Sequence, residues 1–213
     1  VCVGDTGILD AGAGPNYTYL WSNGATTQTI STNVVGTYSV TISNGVCSKV
    51  FTAQLLNPVL PQFTNVTFEI HVHTLTSSNP TGGVLEFSID GGVTWQNSNI
   101  FYNVLNNSNY TLMVRVKDAK CSTTLEYYTF VISNVITPNS DGKNDFIDFS
   151  GISKYNNFAA SVFNRYGQEL FKATKSDAIW RGTIKDLNVP TATYWYRVQW
   201  DNPASKKLEL RTG

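Results

Sequence analysis

A chain of 213 residues has room for one large domain or for two to three small ones. Its formal net charge is zero and only 14% of residues are charged, so nothing in the balance points to nucleic acid as a partner. No apolar run approaches the roughly 20 residues that span a bilayer. Aromatic residues at 13%, with abundant Gly, Thr, Ser and Asn, suit many short strands joined by polar turns. The chain opens on Val1 without a Met or a signal-peptide pattern and closes just after Leu208-Glu209-Leu210. It reads as a trimmed fragment of a longer secreted protein.

No segment carries a convincing helical period, and period-two strand signals recur about every ten residues. A first module is expected over residues 1–57, with strands at Tyr17 to Trp21, Gly36 to Ile42 and Lys49 to Leu56. Tyr38, Val40 and Ile42 share one face of the second of these, and Thr37, Ser39 and Thr41 the other. A buried Trp21 on a central strand followed by this Tyr-x-Val-x-Ile run resembles immunoglobulin-like or PKD-like sandwiches. Cys2 and Cys47 stand at the head and near the end of the module. A bridge between them would close a loop of about 45 residues, worth roughly 4 kcal/mol in chain entropy.

Asn57-Pro58-Val59-Leu60-Pro61 is a stiff linker. A second module is expected over residues 58–132, with strands at Val66 to Leu75, Val84 to Ile89, Ile100 to Val104, Tyr110 to Lys117 and Thr124 to Ile132. Cys121 is expected to be unpaired, or to pair outside the fragment. No linker separates Ile132 from Val135, so a third unit over residues 133–213 should dock tightly on the second. Its strands are expected at Phe146 to Phe149, Ala159 to Asn164, Gln168 to Lys172, Trp180 to Ile184 and Tyr194 to Trp200, with a hairpin turn at Tyr166-Gly167. The fold class is all-β: three tandem immunoglobulin-like antiparallel β-sandwiches.

Chemistry is sparse. Ser88-Ile89-Asp90-Gly91-Gly92-Val93-Thr94-Trp95 fits the Asp-box pattern of sialidase-like propellers, but a propeller needs at least four blades, and a hairpin device is the better account. His71 and His73, with Glu69, are expected on one strand face, where they could begin a zinc site. There is no Gly-x-Ser-x-Gly elbow and no Cys with an evident His partner, so an enzyme is not expected. On an EF-hand register, Asn139, Asp141, Asp145 and Asp148 fall at ligand positions with Gly142 at the sharp turn, which suggests calcium. Thr137 at position one and Asp148 at position twelve weaken that register. The competing reading is an Asx-type turn in which Asn139 and Asp141 cap backbone amides. No cofactor is required.

Four motifs follow one another in the third unit: Ile136-Thr137-Pro138-Asn139-Ser140-Asp141-Gly142-Lys143-Asn144-Asp145, then Phe163-Asn164-Arg165-Tyr166-Gly167-Gln168-Glu169-Leu170-Phe171, then Trp180-Arg181-Gly182-Thr183, then Val189 to Tyr196 around Tyr194. In this order they resemble the type B, or gliding-motility-associated, C-terminal sorting domain of the Bacteroidetes type IX secretion system. Tyr166, Arg181 and Ala192 depart from that family's usual Trp, Asp and Gly. The family pattern ends in a further basic strand, so the last strand here is expected to be truncated or supplied by a partner. The upstream modules resemble adhesin-type repeats.

The resemblance implies a non-enzymatic signal for export to the cell surface or medium. Its expected partners are the type IX translocon, shuttle or carrier proteins, and an outer-membrane β-barrel of the PorP/SprF type. Arg165, Lys172 and Arg181 are candidate contacts. The upstream modules would serve as stalk or adhesin repeats, or alternatively as adhesive modules that recognise surface glycans.

Overall fold

The computed structural model describes residues 1–2, 4–185 and 187–213, and every sheet among them is antiparallel apart from one isolated bridge. The chain divides into two compact units, Val1–Leu60 and Pro61–Gly213.

The first unit contains β1 (Gly7–Asp10), β2 (Thr18–Trp21), β3 (Thr29–Thr32), β4 (Gly36–Ser43) and β5 (Ser48–Leu55). A two-stranded sheet β1-β3 covers a three-stranded sheet β2-β4-β5. Trp21, Ile30 and Val40 are buried between them, with Tyr38 and Ile42 alongside, as the alternation in β4 requires. Trp21 lies on an edge strand, and the central strand is β4.

Cys47 is an exposed free thiol, so the expected Cys2–Cys47 bridge is not formed. The reason is geometric. The Val1 amino group donates to the Leu56 carbonyl at 2.6 Å, which fixes the N-terminus beside the far end of β5. Cys47 sits in the β4–β5 turn, at the near end of that eight-residue strand. Such a strand is roughly 25 Å long, whereas a disulfide needs Cα atoms within about 7 Å. Cys2 and Cys121 are not free thiols, which also corrects the expectation for Cys121.

The second unit begins with β6 (Phe63–Glu69), β7 (Val72–Ser77), β8 (Leu85–Ser88), β9 (Ile100–Phe101), β10 (Asn109–Val116) and β11 (Thr123–Tyr128). Sheets β6-β7-β9 and β8-β10-β11 enclose a core of Val66, Phe68, Leu75, Leu112, Val114 and Tyr127. The single strand expected over Val66 to Leu75 is instead a hairpin. Ile70 and His71 adopt φ of 45° and 62°, the left-handed pair that a two-residue primed turn needs. The turn carries neither Gly nor Asn at those positions, so the sequence gives no turn signal there.

Then follow β12 (Ile147–Asp148), the single helical turn α1 (Ser150–Ser153), β13 (Ala159–Phe163), β14 (Glu169–Lys172), β15 (Ile179–Trp180), β16 (Thr183–Ile184), β17 (Leu187–Asn188), β18 (Trp195–Asp201) and β19 (Leu208–Thr212). The sheet β14-β13-β18-β19 turns Ala160, Val162, Val198 and Trp200 onto Phe149, Ile152, Tyr155 and Trp180. The strand expected over Trp180 to Ile184 breaks at Gly182, whose φ is +69°. The helical turn was not anticipated.

The two cores of this unit share a wall. Tyr127 points into the first core and Tyr128, next on the same strand, into the second, as does Phe130. The Tyr128 amide donates to the Tyr155 hydroxyl at 2.9 Å. Asn202, almost fully buried, donates to the Val66 carbonyl at 2.8 Å.

Candidate functional site

The four motifs of the last core fall into two places. Three of them meet around Trp180. The loop from Ile136 to Asp145 is folded on its own amides: Thr137 N–H donates to the Asn144 carbonyl at 2.7 Å. Asp145 Oδ1 accepts from the amides of Asn139 and Ser140, and its Oδ2 from that of Gly142. Asp141 Oδ1 accepts the Lys143 amide at 2.8 Å, and Asn139 Nδ2 donates to Asp141 Oδ2 at 3.0 Å. These two bonds, the amide first, hold the Asp141 carboxyl below its ordinary range. Left-handed backbone at Ser140, Gly142 and Asn144 lets so short a loop turn back on itself.

The loop presents Pro138 to the third motif. A Cβ on Gly182 would stand 3.1 Å from Pro138 Cγ and 3.5 Å from Ile136 Cδ1, so only glycine combines this φ with this contact. Trp180 pairs with Ile147 across β15 and β12, and its indole N–H donates to the Thr183 carbonyl at 3.2 Å. The Tyr194 ring meets the Trp180 ring edge-on, centroids 5.4 Å apart. The Val189 amide donates to the Gly182 carbonyl, which ties in the fourth motif. The Arg181 guanidinium lies over the Phe146 ring at 5.9 Å.

The second motif is the β13–β14 hairpin. Asn164 Oδ1 accepts the amides of Tyr166 and Gln168, and Gly167 takes φ of 79°. Asn164 is the organising residue of a turn that Tyr166-Gly167 marks in the sequence. At its tip the Arg165 guanidinium lies 5.4 Å from the centroid of the Tyr166 ring, and Tyr166 is 82% exposed. Phe163 faces outward, directly across from Trp195, which is 55% exposed. Lys172 is exposed on the neighbouring strand. The outer surface of the sheet is therefore aromatic with mixed charge, since Glu169 and Asp201 share it with Lys172 and Arg197.

Sequence reasoning missed how β19 is anchored. The strand pairs along the whole of Arg197–Asp201, and the Gly213 and Tyr196 backbones continue the ladder. Glu209 and Arg211 point inward: Arg211 Nη1 donates to the Phe130 carbonyl at 3.0 Å, and Asn202 Nδ2 donates to Glu209. The alternation Leu208-Glu209-Leu210-Arg211 was the available signal, with its charged face turned inward.

Of the calcium candidates, Asn139, Asp141 and Asp145 come together in the loop with their carboxylates turned to its own amides. Asp148 lies on β12 and accepts the Ser150 amide at 2.7 Å. Among the described residues no group of three or more His, Cys, Asp or Glu is placed to hold a metal ion. Because of the Ile70-His71 turn, His71 and His73 do not share a strand face with Glu69. His71 Nδ1 lies 2.9 Å from the Val104 carbonyl. His73 is buried against Phe68, Tyr110 and Tyr127, and burial pushes its pKa down to about 4. Asp90 accepts from the Ser88 hydroxyl and from both the amide and the hydroxyl of Thr94. Partial desolvation would raise its pKa, but these bonds outweigh that and hold it at about 2. Trp95 packs under the Arg115 guanidinium, 3.9 Å from ring centroid to Cζ, while Arg115 pairs with Glu86 at 3.0 Å. That stack accounts for the Asp-box residues as a structural hairpin.

The geometry defines an all-β protein whose last core is a sandwich of antiparallel sheets. Residues 130–211 match the protein-family model described as CHU_C Type IX secretion signal domain. The chain thus carries a type IX secretion signal, the type B C-terminal sorting domain, at 130–211, a kind of domain that is not itself catalytic. Such a signal directs export to the cell surface or the medium. No helix among the described residues is long and apolar enough to cross a membrane. Among solved structures, the crystal structure of domains A168-A170 from titin covers 100% of this chain and 94% of that one, at 14% identity and a TM-score of 0.27. No curated protein matches the chain.

Proposed function

We propose that the last sandwich is read as a folded object by the type IX machinery, through the outer face of β14-β13-β18-β19 and the Arg165–Tyr166 hairpin tip. The observation that supports this reading is the overlap of residues 130–211 with one buried core, whose second motif stands at the hairpin tip and outer face of its sheet. Shuttle proteins and a PorP/SprF-type barrel are the partners, surface attachment is the outcome, and the upstream strands act as a stalk or adhesin repeats. The exposed aromatics Phe51 and Tyr102 favour, as a second reading, glycan recognition by residues 1–132.

The loop from Asn139 to Asp148 is read as an Asx-type turn, because its carboxylates already serve the chain's own amides. A reporter placed ahead of the whole 213-residue chain in a type IX-competent cell tests the export reading. Reporter at the surface or in the medium is expected, and retention in the periplasm would refute it. Arg165→Glu combined with Tyr166→Ser should leave the fold unchanged and reduce export. A glycan array probed with the full chain tests the second reading, which a blank array would end.

A further inference from the structure

The first unit has an incomplete wall. Its three-stranded sheet is covered by only two strands, β1 and β3, and β1 and β5 each pair on one side only. At one end they touch: a Cβ on Gly7 would fall 2.4 Å from Leu55 Cδ1. From that pinch a cleft of about 310 Å³ opens, lined by Ile8 to Ala11, by Phe51 to Ala53, and by Trp21, Val40 and Ile42 at its floor. Phe51 pairs with the buried Val40 on the inward face of the sheet, yet it is 46% exposed. Seven of the eight residues of β5 are exposed, and only Leu55 is buried.

Both rims of this cleft are strand edges. Every second residue of an edge strand leaves its N–H and C=O without a ladder partner. A small molecule would fill the volume but leave two rows of backbone groups unmatched. A helix has no free backbone groups to offer. An extended chain satisfies both rows and places alternate side chains on the exposed floor. Among the lining residues the only charge is Asp10. Bonds from the Gln28 amide at 2.9 Å and the Gly12 N–H at 2.8 Å, both to Oδ1, keep it ionised.

We infer that the cleft between β1 and β5 is a strand-acceptor site for an extended peptide segment of a partner protein, apolar at alternate positions and carrying a basic residue opposite Asp10. Occupied, the gap between the edges of β1 and β5 is bridged by a strand and Phe51 is covered.

The test uses the whole chain and a fluorescein-labelled eight-residue peptide alternating valine and threonine, with a lysine at each end. Saturable binding by anisotropy at concentrations up to about 1 mM is expected. Hydrogen-exchange protection should be confined to Ile8 to Asp10 and Val50 to Gln54. Ala53→Phe, which fills the cleft, should abolish binding. Asp10→Asn keeps an oxygen for Gln28 and Gly12, and should weaken the lysine-ended peptide by about threefold while leaving a serine-ended one unchanged. No binding, protection elsewhere, or indifference to both variants would overturn the proposal. A concentration-dependent dimer that the peptide dissociates would also overturn it, since the occupant would then be a second copy. If Ala53→Phe fails to fold, Asp10→Asn still decides.

Discussion

His73 lies among Phe68, Tyr110 and Tyr127, and among the described residues neither of its ring nitrogens has a hydrogen-bond partner. Burial lowers its pKa from 6.5 to about 4, so below pH 6.5 the unfolded chain takes up a proton that the folded chain refuses. Stability is therefore full above about pH 6.5 and falls progressively toward pH 4. The total loss is about 3 kcal/mol at 1.36 kcal/mol per pH unit. Asp90, held at about 2, adds its own loss only below the ordinary carboxylate range, so the two limbs separate. Urea unfolding from pH 7.5 to 4.5 should show the His73 limb, and His73→Phe should flatten it and raise stability at every pH. An equally steep limb in His73→Phe would refute the assignment. Gly182 makes a sharper steric case. Gly182→Val meets both a left-handed φ and Pro138, and should cost about 2 kcal/mol or more; Gly182→Asn, which tolerates this φ, should cost less. Equal losses would show that the backbone conformation is not what glycine supplies there.

At the scale of elements, β19 shows how an edge strand is held. Arg211 ties it to the Phe130 carbonyl and lies 5.2 Å from the Trp200 ring, while Glu209 takes Asn202. Arg211→Ala would strip the Phe130 carbonyl of that partner, so a loss of about 1–2 kcal/mol is expected in denaturant melts, with faster amide exchange along Leu208–Thr212. Unchanged exchange there would mean the ladder alone anchors the strand. What could be read beforehand followed from period-two patterning. β4, β10 and β18 are long strands with one wet and one dry face, and they stand close to where Tyr38-x-Val40-x-Ile42 and its counterparts put them. The four-residue strands β1 and β3 escaped, although β2, β8 and β14, of the same length, were anticipated. The Ile70-His71 reversal escaped because its residues are not turn formers, and with it went the zinc grouping. The Cys2–Cys47 pairing failed for a different reason. Sequence proximity to the two ends of a module says nothing about which end of β5 each occupies. The sorting motifs were legible as words, but not their convergence: only the fold shows that Pro138, Gly182 and Tyr194 meet around one tryptophan.

For the second unit as a whole, the issue is how much chain the export signal needs in order to fold. The family match begins at residue 130, inside the segment that walls both cores. Tyr128 lies against the backbone of Gly151 so closely that a Cβ there would sit 2.2 Å from the Tyr128 ring, and its amide is held by Tyr155. From the other side, Asn202 reaches back to the Val66 carbonyl and Ala204 packs on the first core. A fragment of residues 133–213 would lose Tyr128 and Phe130 from its core, opening a void where two aromatic rings pack, and would take the Val66 carbonyl from Asn202 and the Phe130 carbonyl from Arg211. Deletions of that size in a core cost several kcal/mol, comparable with the whole stability of a small domain. Residues 61–213 should therefore melt in one cooperative transition, while 133–213 alone should show dispersed secondary-structure signal without a sharp melt. Calorimetry on the two fragments separates the cases. Two resolved transitions in 61–213, or a cooperative melt in 133–213, would mean that the shared wall is a contact between independent domains. If the fused reading holds, a reporter joined to 133–213 should be exported poorly even though every sorting motif is present, because the machinery would meet an unfolded signal. The same reporter joined to 61–213 should be exported, which makes the first core of this unit a folding partner of the signal as well as a passenger.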